Sequence, residues 1–206
     1  MTYLALGDSI SIDLYTKVEG GGAASQLARK LGADPFLDLT RDGMTSDQLL
    51  DDLRQDQTFG DIPKVDAVTL TIGGNDLLSG YFFREEGAHG AQIIGFETLR
   101  YNVNEIADLL AKLQCPVVMN TIYDPTDGDD SHAAELGLPP EARQGLIGAN
   151  AMLREVAVAH GFLLCDLESL CQGHGFWSSD PWMVMHIEPS LKGATQIAEA
   201  WHRLLD

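Results

Sequence analysis

Residues 65–78 read VDAVTLTIGGNDLL. The run from Val65 to Ile72 is apolar and rich in β-branched side chains, and Gly73 and Gly74 stop it, which predicts a buried strand. The same rhythm repeats on both sides. Residues 2–6 (TYLAL) end at Gly7, and Phe36 to Leu39, PVVMNTI at 116–122 and FLLCDL at 162–167 are further short apolar runs. Helical spacing fills the intervals. It appears at 23–32, closed by Gly32, and at 45–54, with Thr45 or Ser46 as the cap. Phe96, Leu99, Val103, Ile106, Leu110 and Leu113 share one face of a third helix, and a fourth covers about residues 141–160. A last helix opens at Ser190 and buries Leu191, Ala194, Ile197, Ala198, Trp201 and Leu205.

Strands that alternate with helices need right-handed crossovers, and these give a parallel sheet between two helical layers. The expected fold is α/β: a three-layer α/β/α sandwich around a parallel five-stranded sheet, in one domain over residues 1–206. Two stretches, YDPTDGDDSHAAELGLPP at 123–140 and residues 168–189, read as long surface loops.

The composition is that of an ordinary globular protein: 45% of the 206 residues are apolar and 21% charged. The formal net charge of −18 makes nucleic acid and anionic lipid poor partners, since phosphates would be repelled. The N-terminus has no basic segment ahead of its apolar run, and no run approaches a membrane span, so no membrane insertion is expected. Cys115, Cys165 and Cys171 are odd in number and lack CxxC spacing; Cys115 and Cys165 lie in apolar runs as small buried hydrophobes, and a reducing, cytoplasmic compartment fits best.

In a parallel α/β sheet, chemistry belongs at the carboxyl ends of the strands. GDSI (7–10), RDGMTS (41–46), GGND (73–76) and the loop after the fifth strand end there. Ser9 stands at a strand-to-turn junction that presents its hydroxyl, although serine in such a place also caps turns. The Asn75 amide can donate to an oxyanion, or close an Asx-turn, and Gly43 can offer a backbone N–H. Asp8, Gly74 and Asp76 flank these groups as site-shaping residues, with Asp13, Tyr15, Arg41 and Asp42 nearby in sequence.

GDSI, the glycine of DGMTS at 42–46, TIGGNDLL at 71–78 and the closing PSLKGATQIAEAW at 189–201 occur in one order. With them the chain resembles the SGNH (GDSL-type) hydrolase family over nearly its whole length. The resemblance implies a flavodoxin-like sheet and hydrolysis of a small-molecule carboxylic ester through an acyl-enzyme on Ser9. It implies an oxyanion hole made by the Ser9 and Gly43 N–H groups and the Asn75 side chain, with neither metal nor organic cofactor.

The last block departs from the family's Asp-x-x-His-Pro. Glu188 precedes Pro189 and Met185 takes the acid's place, while His186 lies two residues toward the N-terminus. Three readings are open. His186 can be the base, reaching the site because residues two apart on extended chain share a side, with Asp180, Glu188 or a backbone carbonyl as its partner. Glu188 can be the base if burial raises its pKa. Or the chain can be a catalytically impaired domain that binds a small acylated or carbohydrate ligand.

Other candidates carry weaker patterns. His174, Asp180 and His186 lack the spacing of a metal site, and DPTDGDD at 124–130 does not match a calcium loop. GGG at 20–22 precedes a helix but lacks the Lys and Ser/Thr of a phosphate loop, and His89 and His132 carry no specific signal. Phe82, Phe83, Phe176, Trp177 and Trp182 lie in loops where they can line a rim or simply seal it.

Overall fold

The computed structural model describes residues 1–55, 64–82 and 91–206, with the backbone alone at 82 and 91–94. Phe83 and His89 lie outside the described residues. Among these, five strands form one parallel sheet: β1 (Tyr3–Gly7), β2 (Phe36–Thr40), β3 (Ala67–Thr71), β4 (Val117–Asn120) and β5 (Leu163–Cys165), in the order β2-β1-β3-β4-β5. The helices are α1 (Ala23–Leu31), α2 (Ser46–Gln55), α3 (Gly74–Phe82), α4 (Ala91–Ala111), α5 (Asp130–Glu135), α6 (Ala142–His160), α7 (Leu167–Leu170) and α8 (Leu191–Leu205).

Side-chain alternation along the strands builds two cores. Leu4 and Leu6 of β1 join Val68 and Leu70 of β3 under α2, α4 and α6. Tyr3 and Ala5 point the other way and pack under α1 and α8 with Leu27, Ile197 and Trp201. Both faces are covered, so β1 and β3 are buried at every residue, as a parallel sheet demands. Polar side chains inside this core bond to one another and to the backbone. The Trp201 indole donates to Asn120 Oδ1 at 2.7 Å, Asn120 Nδ2 donates to the Leu70 carbonyl at 2.9 Å, and the Tyr3 and Thr69 hydroxyls meet at 2.6 Å.

Both stretches expected as loops hold regular structure, and two glycine segments are defined further. GGND is no open loop but the first turn of α3. The stretch 123–140 contains α5, whose cap is Asp129 accepting from the Ser131 and His132 N–H groups. The loop after β5 contains α7 and a small antiparallel hairpin, β6 (Met183–Val184) with β7 (Glu188–Pro189). GGG at 20–22 is occupied from within: the Asp13 carboxylate accepts the Gly20 and Gly22 N–H groups at 2.7 Å each. Cys165 and Cys171 are buried thiols and all three cysteines are free. No described helix is long and apolar enough to cross a membrane.

The strand register sets the chemistry. Gly7 pairs with Thr40 on one side and Thr71 on the other, which levels the exits of β1, β2 and β3. At Gly7 the chain turns with φ 123°, and a methyl group there would come within 1.8 Å of the Thr71 carbonyl oxygen. That oxygen accepts the Asp8 N–H at 3.1 Å. We expect Gly7→Ala, which meets both a forbidden φ and backbone overlap, to destabilise the fold by about 4 kcal/mol or more in urea unfolding.

Candidate active site

The turn after β1 is fixed before any side chain reaches outward. Asp8 N–H also approaches Thr71 Oγ1 at 3.2 Å, the Ser11 and Thr71 hydroxyls meet at 3.0 Å, and Asp8 Oδ1 accepts the Ile10 N–H at 3.2 Å. Asp8 is therefore buried, 2% exposed, and serves the backbone. Burial pushes its pKa up to about 6, against the Thr71 and Ile10 bonds that pull it down, while the charge of Asp76 raises it further. Ser9 is left on the wall of a cleft that encloses about 860 Å³ of space, solvent at its mouth included.

The second and third segments are tied to each other. Asp76, in the first turn of α3, accepts the Ser46 N–H and hydroxyl at 3.0 and 2.5 Å. Burial raises its pKa and the Ser46 bonds oppose that rise. Asn102 of α4 donates to Ser46 Oγ at 3.0 Å and also to Asp47. Asn75 Nδ2 donates to the Met44 carbonyl at 3.0 Å, which fixes the amide's orientation and leaves it a second N–H. Asn75 and Gly74 line the cleft with Ser9. Gly43, with φ 70°, is exposed next to Met44 and does not line it.

Glu188 is the residue that the structure brings to Ser9. It lines the same cleft, is 8% exposed, and its carboxylate lies close enough to the Ser9 side chain for that hydroxyl to lower its pKa. Its Oε2 is buried with no hydrogen-bond partner. Burial pushes the pKa up to about 7; the Ser9 hydroxyl lowers it, and the nearby charges of Asp42 and Asp8 raise it. Tyr15, in the 3₁₀ turn Leu14–Thr16, donates to both Asp42 oxygens at 3.0 Å and has a pKa pushed up to about 12 by burial and by Asp42. The buried Tyr123 hydroxyl donates to the Ile187 carbonyl at 2.5 Å and so grips the chain one residue before Glu188.

His186 is not brought to Ser9. Met185 and His186 both take left-handed φ, 48° and 74°, at the tip of the hairpin in which Val184 faces Glu188. The chain from 186 to 188 is thus a turn rather than an extended strand, and the two-residue alternation that would align His186 with Glu188 does not apply. The imidazole is exposed and packs on Phe176 and Trp177, with ring centroids 4.6 and 5.8 Å away. Asp180 is also elsewhere. It is exposed, pairs with Lys192 at 2.6 Å, which lowers its pKa, and its carbonyl meets His174 Nδ1 at 3.0 Å. His174 in turn stacks on Trp182 at 3.9 Å. The aromatic residues of this loop seal it, since Trp177 stacks on His132 and Trp182 is buried.

The far wall of the cleft comes from the segment that reads as a surface loop. Leu136 and Leu138 after α5, with Leu146 of α6, face Leu77, Leu78 and Tyr81 of α3. Two of its acidic residues hold backbone in place. Asp124 accepts from Thr126 and Gly128, and Asp127 accepts the Gly173 and Gly175 N–H groups at 2.8 and 2.9 Å, fastening this segment to the loop after β5. Asn150 of α6 clamps its start by bonding both the N–H and the carbonyl of Ile122. The one sequence signal for this wall was HAAELGL, apolar residues at near-helical spacing inside an otherwise polar run.

No protein of curated function matches the sequence. Solved structures that match share the fold at low identity. A lipase, Lip_vut3, from a goat rumen metagenome has a TM-score of 0.79 at 17% identity over 100% of both chains. A structure titled TesA scores 0.71 at 20% identity, over 100% of this chain and 98% of the other. Axe2, an acetylxylan esterase from Geobacillus stearothermophilus, scores 0.70 at 16% identity, over 99% and 93%. Residues 5–195, from the first strand to the start of α8, match the GDSL-like Lipase/Acylhydrolase family, and the chain belongs to that family.

Proposed function

We propose that this protein hydrolyses carboxylic esters through an acyl-enzyme on Ser9. The carrying observation is one cleft in which a serine on the β1 exit, the Asn75 amide and the Glu188 carboxylate meet beneath an apolar wall. Acyl transfer needs a nucleophile, a proton acceptor and donors for the oxyanion, and these groups supply all three. Ser9 Oγ attacks the ester carbonyl carbon. The oxygen that gains charge is received by the Ser9 N–H and the second N–H of Asn75, and collapse expels the alcohol and leaves the acyl group on Ser9. Water then reverses the sequence and releases the acid.

The wall between α3 and the 136–146 segment is apolar, so it suits a hydrocarbon part of the ester. The lipases and the acetylxylan esterase of like fold support the ester class without selecting a substrate within it. The net charge of −18 argues against polyanionic partners. The free buried cysteines favour a reducing, cytoplasmic setting, and we read the chain as one domain. The lack of an imidazole on the cleft wall among the described residues favours one second reading, a site that binds an acylated ligand without turning it over.

Turnover of p-nitrophenyl esters separates the two. Ser9→Ala is expected to lower kcat about a thousandfold or more, and Asn75→Ala about a hundredfold, by removing one oxyanion donor. Wild-type protein with no turnover above background across short acyl chains would select the binding reading.

The site also leaves a mark on stability. Glu188 has a folded pKa of about 7 against an ordinary 4.5, and Asp8 about 6 against 3.8. Both folded values are raised, so the native state holds the extra protons and stability falls as pH rises from the ordinary values to the raised ones. Above about pH 7 the loss is complete. Glu188→Gln should therefore match the wild type near pH 4 and exceed it at pH 8, by up to about 3 kcal/mol in urea unfolding. Equal stability of the two proteins at pH 8 would contradict this.

A further inference from the structure

We propose that Glu188, standing where the family keeps a histidine, is itself the general base and acid of the reaction. The proposal rests on the reading of Ser9 as nucleophile and deepens it.

Position comes first. Among the described residues no imidazole lines the cleft of Ser9. His132 stacks on Trp177, His160 bonds to Asp108 at 3.0 Å, His174 stacks on Trp182, His186 packs on Phe176, and His202 meets Asp206 at 3.1 Å. Glu188 does line it, shares that wall with Ser9, and keeps Oε2 buried without a partner, so an acceptor remains beside the nucleophile. Nor is the carboxylate free to wander. Pairing of Val184 with Glu188, the Tyr123 grip on Ile187, and the Ser190 N–H and hydroxyl, both donating to the Trp182 carbonyl at 2.8 Å, fix the backbone on either side.

Chemistry comes second. An ordinary carboxylate is too weak a base for a serine hydroxyl at neutral pH. Here the charges that act on it oppose its own, and Arg143, a cation on the same cleft wall, is engaged by Asp130 at 2.7 Å. Asp8 faces it from the β1 exit, Asp42 from the β2 exit, and Tyr15 and Tyr123 bring neutral phenols rather than cations. Dry surroundings and like charges raise its basicity to the working range of a general base. When Glu188 takes the Ser9 proton it becomes neutral, and the repulsion from Asp8 and Asp42 is relieved in the same step that places negative charge on the oxyanion.

The steps balance. As Oγ bonds to the carbonyl carbon, its proton moves to the Glu188 carboxylate. When the carbon–oxygen bond to the alcohol breaks, the protonated Glu188 returns that proton to the leaving oxygen. In deacylation Glu188 takes a proton from water as the hydroxyl adds to the acyl carbon, then gives it to Ser9 Oγ as the acyl bond breaks. Nothing beyond ester and water is consumed.

The test is the pH profile of kcat/KM for p-nitrophenyl acetate in the wild type and five variants. The wild-type value should fall tenfold per pH unit below about 7. Glu188→Gln should lose about a hundredfold or more, together with that acid limb. Glu188→Asp should keep the limb at a reduced rate, so a poorly folding Gln variant does not leave the matter open. Asp42→Asn, by removing a like charge, should move the limb to lower pH. His186→Ala should keep both rate and limb. Loss of activity in His186→Ala, or a limb that survives in Glu188→Gln, overturns the proposal. Ser9→Ala distinguishes the failures: if it is inactive while Glu188→Gln is active, only the base assignment falls, and if Ser9→Ala is itself active, the nucleophile falls with it.

Discussion

The close approach of Gly7 to Thr71 is the constraint on which the site depends. Strands β1 and β3 are hydrogen-bonded neighbours, and the Thr71 carbonyl stands where any β-carbon on residue 7 would be. Only glycine lets the chain turn there with positive φ. The turn then delivers the Asp8 N–H to Thr71 and the Ser9 side chain to the cleft. Gly73, at φ 106°, performs the corresponding turn at the end of β3, so that α3 begins at once and Asn75 arrives level with Ser9. Ser9 and Asn75 are thus placed by backbone sterics within the sheet, before any of their own contacts are counted.

A second layer of order is electrostatic. Asp8, Asp76 and Glu188 crowd the strand exits, each with its pKa raised chiefly by burial. Asp8 and Asp76 have backbone and hydroxyl donors to satisfy them, and their work is to hold the β1 turn and to bind the Ser46 segment to α3. Glu188 has a buried oxygen with nothing to accept from. Burying a carboxylate that way is unfavourable, and such local cost is expected where a group is held ready for chemistry instead of stability.

Much of this was legible in the sequence, and the reason is that it rests on local rules. Apolar runs ended by Gly7 and by Gly73 and Gly74 gave the strand exits, and 3.6-residue spacing gave the helices that cover them. The legible parts of the site were those that follow a strand by one or two residues. Two parts were not legible because they depend on long-range packing. The wall at Leu136 and Leu138 exists because Asn150 and Asp127 fasten a polar segment to elements far along the chain. The direction of His186 depends on a hairpin closed by only two residue pairs, Met183 with Pro189 and Val184 with Glu188, which no propensity announces. An extended reading of MHIE put His186 and Glu188 on one side; two successive left-handed residues separate them.

That separation explains how a carboxylate can occupy a histidine's slot without the fold changing. What the last block must supply is a backbone that enters α8 from the carboxyl edge of the sheet and presents one residue to Ser9. Ser190, capping α8 through the Gly193 N–H at 3.2 Å, and the Tyr123–Ile187 contact supply it irrespective of the side chain at 188. Gly193 packs so close to the Trp182 carbonyl, 2.3 Å from where a β-carbon would lie, that helix and hairpin cannot slide past each other. Position is therefore set by the frame, while basicity is set by the neighbours. A histidine in this slot would need an acid to orient it, and Met185, in the acid's place, is exposed at the hairpin tip. A glutamate needs no such partner. It needs a dry wall and like charges, and Asp8, Asp42 and the apolar cleft provide both.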